Sequence, residues 1–108
     1  MEKAAATVAH QSGGIDILCA NAGIFPMAKL EELTEAAWDE VFATNLKGML
    51  ISIQACLPYL KKSQYPRILV TSSVMGPKWV QPGRTHYATM KCGITGFVRS
   101  AAIELDGE

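Results

Sequence analysis

The sequence predicts an α/β protein whose strands form a parallel sheet. Two short apolar runs, IDILCA at 15–20 and RILVTSS at 67–73, have the composition of buried strands and are bounded by turn residues. A long stretch with helical periodicity follows each run. Strands that alternate with helices in this way are typical of βα units, which build parallel sheets.

The first predicted elements are a helix, a strand and a loop. Residues 2–11 are rich in alanine and indicate a helix, which the glycines beginning at Gly13 end. The strand at 15–20 follows. Residues 25–33 are then expected to form a loop, because Pro26 excludes a regular helix there.

Two longer helices are predicted in the rest of the chain. Thr34 is a suitable N-cap for the first, whose apolar stripe runs to Lys62 through Pro58, a residue that can kink it. Glycines and prolines indicate a loop at 74–85, and apolar periodicity predicts the second helix at 86–105. Buried strands need cover on both faces, which these helices cannot supply. We therefore interpret residues 1–108 as a piece of one larger α/β domain.

Composition narrows the classes of partner. The chain is 49% hydrophobic and 19% charged with zero formal net charge, which predicts a globular protein that binds neither nucleic acid nor membranes. No apolar run approaches the ~20 residues of a membrane helix, and no signal peptide is recognisable, so we expect a cytoplasmic location. The three cysteines are expected to be buried, and the spacing of the two histidines suggests no metal site.

Tyr87 and Lys91 carry the strongest chemical signal. They lie four residues apart near the start of the last predicted helix and so share one helix face. An unperturbed tyrosine has a pKa near ~10, which makes it a poor base at neutral pH. A cation within ~4–6 Å of a phenol favours the phenolate by ~1–3 pKa units, toward the range of general acid–base catalysis. The alternative is a half-buried tyrosine beside a solvated lysine.

Polar residues also follow both predicted strands. Asn21-Ala22-Gly23 ends the first strand and Thr71-Ser72-Ser73 the second, at the sheet edge where open α/β proteins bind ligands. A serine there can donate a hydrogen bond to a carbonyl oxygen that gains negative charge, although a turn or cap is the alternative. Asn45 is polar inside an apolar helical pattern, so we expect either a functional residue or a solvent-facing one.

The order of these motifs resembles the short-chain dehydrogenase/reductase family. The matching motifs are NAG at 21–23, NLKG at 45–48, SSVMG at 72–76 and YATMK at 87–91. Two longer stretches, PGRTHYATMK and GFVRSAAIEL, are similar to the subgroup labelled 3-oxoacyl-acyl-carrier-protein reductase. The resemblance implies part of a Rossmann-type doubly wound parallel sheet that lacks the N-terminal βαβ unit and the C-terminal strands. Residues 1–108 would be the central, catalytic portion of that one domain.

The resemblance also implies a role for each matching residue. Tyr87 would exchange a proton with the substrate oxygen, and Lys91 would favour its phenolate and hold the nicotinamide ribose. Ser73 would orient and polarise the substrate oxygen. Asn45 would hold a water in the proton relay behind Lys91. The cofactor cleft would be lined by Asn21, Ala22 and Gly23, together with Tyr87 and Lys91.

The implied activity is hydride transfer between NAD or NADP, with NADP slightly preferred, and a small carbonyl or alcohol. The glycine-rich turn TGxxxGxG that would bind the pyrophosphate is absent from the sequence, so weak cofactor binding is expected. A homo-oligomer through the helices at 34–62 and 86–105 is also expected. One alternative is an inactive fragment that only associates with related subunits. Another is a flavodoxin-like domain with an incidental tyrosine and lysine, against which the four ordered motifs argue.

Overall fold

The computed structural model describes residues 1–73, 76 and 78–106. The predicted loop at 74–85 and the motif SSVMG therefore lie partly outside the described residues. The chain divides into two compact units, the first comprising Met1–Asn21 and Gly48–Thr71, the second Ala22–Lys47 and Ser72–Glu108. In chain order the elements are α1 (Glu2–Ser12), β1 (Ile17–Ala20), α2 (Glu35–Val41), α3 (Gly48–Leu60), β2 (Arg67–Val70) and α4 (Thr85–Leu105).

The first unit contains a two-stranded parallel sheet, as predicted. Strands β1 and β2 pair in parallel with Ile17 opposite Arg67 and Ala20 opposite Val70. Helix α3 contacts α1 and both strands. Helix α1 ends where Gly13 adopts a left-handed conformation with φ of 80°, which confirms the predicted stop. The buried core of this unit consists of Ala5, Ile15, Ala55, Cys56 and Leu60.

The expectation of fully buried strands is wrong for the described structure. Along β1 and β2, exposed and half-buried residues alternate, and Ile17 and Leu69 are each 58% exposed. Side chains of successive strand residues point to opposite faces of a sheet. Leu18 and Ile68 pack against the core built by α1 and α3, so their neighbours lie on the face that these helices do not cover. Strand β2 also ends at Val70, which leaves Ser73 beyond it.

The long helical stretch predicted at 34–62 is not one regular helix. Thr34 caps α2 as predicted, since its Oγ1 accepts a hydrogen bond from the backbone N–H of Ala37 at 3.1 Å. A π-helical segment, Phe42–Lys47, separates α2 from α3, and α3 continues through Pro58. The predicted loop at 25–33 contains a short 3-10 turn, Leu30–Glu32. Extra π-helical turns of this kind occur frequently at functional sites.

Helix α4 organises the second unit. It spans the predicted residues with one addition at its start and contacts both α2 and the π-helical segment. Its core-facing side chains include Met90 and Ile94, which are almost completely buried. Packing of this side fixes the position of α4, and with it the side chains on the first two turns of the helix.

Only one of the three cysteines fits the expectation of burial. Cys56 is buried in the core of the first unit, where desolvation raises the pKa of its thiol. Cys19 and Cys92 are exposed, so the expectation is wrong for them. Cys19 follows the alternation of β1 onto its uncovered face. Among the described residues, no helix is both long and apolar enough to cross a membrane.

Candidate active site

The side chains of Tyr87 and Lys91 lie together on one face of α4. The Lys91 Nζ is 5.5 Å from the centroid of the Tyr87 ring, within the range of a cation–π attraction. Tyr87 is half-buried, whereas Lys91 is only 7% exposed. Desolvation of the ammonium lowers the pKa of Lys91 from its usual 10.5. The structure therefore presents a phenol beside a buried cation, as the four-residue spacing predicts.

The Tyr87 ring contacts Phe25, and Phe25 in turn contacts Arg84, two residues that no motif in the sequence had marked. The ring of Phe25 meets it edge to face, with centroids 4.5 Å apart and planes at 66°. The guanidinium of Arg84 lies over the Phe25 ring at 3.6 Å from its centroid. Arg84 Nη1 also donates hydrogen bonds to the carbonyl oxygens of Phe25, at 2.9 Å, and Pro26. The available signal was weak, an aromatic residue soon after NAG and an arginine three residues before Tyr87.

His86, directly before Tyr87, is completely buried. Within the described structure neither of its ring nitrogens has a hydrogen-bond partner. Burial, and then the positive charge of Arg84, lower the pKa of His86 from its usual 6.5. Burial of an imidazole without partners favours its neutral form, because the charged form would lack both water and a counter-ion. The start of α4 is therefore sensitive to protonation.

Asn45 fastens the segment that follows NAG. Its Oδ1 accepts a hydrogen bond from the N–H of Ile24 at 2.8 Å, and its Nδ2 donates one to the carbonyl of Ile24 at 2.9 Å. Asn45 is 4% exposed, so the solvent-facing alternative is wrong. A Cβ atom on Gly23 would lie 3.4 Å from Asn45 Oδ1, at van der Waals distance, so the two residues lie side by side. Asn45 and Gly23, predicted separately, therefore form one local structure.

The other predicted site residues are distributed between the units. Ser73 is half-buried in the second unit, and Ala22 is exposed there. Asn21 belongs to the first unit, where its Oδ1 accepts a hydrogen bond from Thr71 Oγ1 at 2.5 Å. This bond joins the residues that directly follow β1 and β2, and so the carboxyl ends of the two strands. The contacts described above bring Tyr87 together with Lys91, Gly23 with Asn45, and Asn21 with Thr71.

Known proteins resemble this chain over nearly its whole length. The family model described as short chain dehydrogenase matches residues 1–108. The 3-oxoacyl-acyl-carrier-protein reductase FabG of Thermotoga maritima is 40% identical over 100 residues, which are 93% of this chain and 40% of that protein. The corresponding protein of Staphylococcus aureus strain Mu50 is 39% identical over 98 residues, 91% of this chain and 39% of that protein. The chain thus spans about two fifths of the length of these curated relatives.

Solved structures show the same fold. A 3-ketoacyl-ACP reductase from Sinorhizobium meliloti 1021 superposes with a TM-score of 0.90 at 34% identity, over 96% of this chain and 42% of that one. A short chain dehydrogenase from Burkholderia cenocepacia J2315, in complex with NADP, gives a TM-score of 0.88 at 31% identity with the same coverage. The predicted fold class, part of a Rossmann-type α/β sheet, is confirmed.

Replacing Asn45 should loosen the segment after NAG. In Asn45→Ala both polar groups of Ile24 lose their partner, so we expect unfolding to become easier by about 2 kcal/mol. Hydrogen exchange at the Ile24 amide should accelerate at the same time. Urea denaturation and amide exchange measured by NMR check both effects. The neighbouring Thr44→Ala, at an exposed position, is the control and should leave both unchanged. Unaltered Ile24 exchange in Asn45→Ala would contradict this description.

Acid should destabilise the chain through His86. Because the pKa of folded His86 lies below 6.5, the unfolded chain binds the proton more readily, and stability falls as the pH drops below about 6.5. One proton limits the slope to about 1.4 kcal/mol per pH unit. Urea denaturation of wild type and His86→Leu between about pH 7.5 and pH 5 measures it. His86→Leu should flatten the profile, whereas the control His10→Gln, at an exposed position, should keep it. Equal slopes in wild type and His86→Leu would refute the assignment.

Proposed function

Because the chain belongs to the short-chain dehydrogenase family, we propose that it carries the proton-transfer machinery of an NAD(P)-dependent oxidoreductase. The observation that carries this proposal is the buried ammonium of Lys91 at 5.5 Å from the Tyr87 ring centroid. A cation held in a low-dielectric environment acts on a nearby developing phenolate more strongly than it would in water. The substrate is a carbonyl compound in one direction and an alcohol in the other.

Each proposed catalytic residue has a defined task in this reaction. The nicotinamide, when bound, supplies or accepts the hydride at the substrate carbon. In reduction the Tyr87 hydroxyl donates its proton to the substrate oxygen, and in oxidation the phenolate takes that proton back. Lys91 stabilises the phenolate that Tyr87 becomes when it has given up its proton. Ser73 donates a hydrogen bond to the substrate oxygen and so supports its negative charge.

The residues present fit part of the proposed cofactor. A lysine ammonium offers three N–H donors, which suit the hydroxyl oxygens of the nicotinamide ribose. Gly23, braced by Asn45, lets the backbone approach a ligand closely, and Asn21 and Ala22 precede it in the cleft lining that we propose. NADP is the preferred form because the Burkholderia relative was solved in complex with NADP. The sequence itself contains no TGxxxGxG turn for the pyrophosphate.

The finer assignments rest on the named relatives. Identity of 39–40% to two FabG proteins favours a 3-oxoacyl thioester as the carbonyl substrate.

Asn45 is proposed to hold the segment at Gly23 and Ile24 in place, because both of its polar side-chain atoms bind the Ile24 backbone. The water relay behind Lys91 and the cytoplasmic location stay predictions.

Removing the phenol hydroxyl should abolish the proton transfer. For Tyr87→Phe we expect kcat to fall by roughly 10²–10⁴-fold with NADPH binding retained, because the ring and its Phe25 contact persist. Ketone reduction followed by nicotinamide absorbance measures kcat, and cofactor fluorescence measures binding. The control is Tyr65→Phe, at a position that is 74% exposed, and it should keep full activity. Activity that survives Tyr87→Phe would overturn the role of Tyr87. No NADPH binding by wild type at millimolar cofactor would favour the inactive, associating fragment.

Association through the helices at 34–62 and 86–105 is the proposed form of oligomer. Helix α3 exposes Leu50 and Ile51, and helix α4 exposes Val98 and Ile103, which leaves apolar surface on both. Sedimentation velocity should show a species larger than 11.7 kDa, and Val98→Glu should shift it toward the monomer. The control Arg99→Lys, at the adjacent exposed position, should sediment like wild type. A wild-type chain that sediments only as a monomer would contradict the proposal.

A further inference from the structure

Three residues form a continuous stack that ends at the proposed acid–base group. The guanidinium of Arg84 covers the Phe25 ring at 3.6 Å, and the Phe25 ring meets the Tyr87 ring at 4.5 Å between centroids. Each partner in the stack is planar, so each contact restricts the rotation of the next ring. Edge-to-face aromatic pairs and cation–π contacts both have preferred geometries, which distinguishes them from general apolar packing.

The backbone around this stack is also fastened. Arg84 binds the carbonyl oxygens of Phe25 and Pro26, so one side chain holds both the ring and the main chain that carries it. The N–H of Ala28 donates a hydrogen bond to the carbonyl of Gly83 at 2.9 Å. Gly83 has φ of 85°, and a Cβ there would come within 2.7 Å of Met27. The segment at 25–28 is therefore held directly against the residues before α4.

Arg84 holds its place by interactions that suit a positioning role. Its partners in the described structure are two carbonyl oxygens and a ring face, and its Nε is buried without a hydrogen-bond partner. A surface arginine would gain more from water, because a buried donor without a partner is costly. Arg84 also lies three residues before Tyr87, directly ahead of α4. The buried Nε of Arg84 thus lowers the stability of the fold, while the other contacts of Arg84 fix the residues next to Tyr87.

We propose that Phe25 and Arg84 are positioning residues for Tyr87: Arg84 holds the Phe25 ring, and that ring fixes the orientation of the phenol. This inference rests on the proposed function of Tyr87 as the acid–base group. General acid–base catalysis needs the hydroxyl within hydrogen-bond reach of the substrate oxygen, and a misplacement of about 1 Å can cost as much as a hundredfold in rate. Lys91 attracts the Tyr87 ring by a cation–π contact, and Phe25 holds the ring by edge-to-face packing.

The kinetic test compares four variants at Phe25 and Arg84 with one control variant. Phe25→Leu should lower kcat about ten- to a hundredfold with little change in KM, because the reacting group is misaligned while binding is retained. Phe25→Tyr keeps the ring and should restore kcat. Arg84→Met should lower kcat in the same way. If Arg84→Met does not fold, Arg84→Lys takes its place and should lower kcat by less, because lysine keeps the charge but lacks the planar guanidinium over Phe25. Phe42→Leu is the control, because Phe42 stacks on Trp38 at 4.8 Å in an aromatic pair that does not include Tyr87.

A double variant tests whether Arg84 acts through Phe25. If it does, Phe25→Leu combined with Arg84→Met should lose no more kcat than Phe25→Leu alone. If the fold-loss of kcat in the double variant equals the product of the two single-variant losses, Arg84 does not act through Phe25 and the proposal is overturned. A loss confined to KM, or an equal loss in Phe42→Leu, would show a general structural role and would overturn the proposal as well.

A measurement that needs no turnover separates this inference from the proposed function. The ring signals of Tyr87, assigned in the NMR spectrum by their loss in Tyr87→Phe, should shift in Phe25→Leu and in Arg84→Met but not in Phe42→Leu. If wild type reduces no carbonyl compound but these shifts occur, the proposed function fails while the positioning contacts stand. If Tyr87 signals are the same in wild type and Phe25→Leu, the positioning role is wrong whatever the activity.

Discussion

A lysine ammonium almost wholly removed from water is the feature on which the candidate site depends. Lys91 is 7% exposed, and desolvation lowers its pKa, so the fold bears a cost to keep a charge there. The Tyr87 ring lies 5.5 Å from that charge because both residues occupy successive turns of one helix face. A solvated lysine would interact weakly with a phenol, since water screens it. The proposed role of the pair therefore depends on the burial of Lys91.

The surroundings of this pair are rigid for separate physical reasons. Asn45 replaces a missing backbone partner by bonding both the N–H and the carbonyl of Ile24. Its place within a π-helical segment changes the direction of its side chain from the one that a regular helix would give. Arg84 and Phe25 secure the following residues by stacking and by carbonyl hydrogen bonds. The loop after NAG is thus held by an amide on one side and a guanidinium on the other.

Local patterns in the sequence predicted the elements and the pair well. Alternating strands and helices gave the parallel sheet, Thr34 gave a helix start, and a four-residue spacing gave the shared face of Tyr87 and Lys91. The sequence did not predict the exposure of Ile17 on β1 and Leu69 on β2. Composition alone does not reveal which face of a strand the described helices cover.

Contacts between distant segments were the other part that the sequence could not reveal. The π-helical segment at 42–47 depends on packing against α4, and the stack on Phe25 depends on a residue 59 positions away. Propensity and periodicity describe neighbours along the chain and are silent about such pairs. The bonds of Asn45 to Ile24 belong to the same class, although the polar residue itself was visible in an apolar pattern.

Under the proposed function, the buried ammonium of Lys91 acts on the phenol and holds the nicotinamide ribose. The most direct measurement is the NMR signal of its side-chain nitrogen during a titration with NADPH. We expect the Lys91 Nζ signal to move with added NADPH, while the signal of the exposed Lys29 stays in place. A Lys91 signal that stays in place while NADPH binding is detected elsewhere on the chain would rule out this role of Lys91.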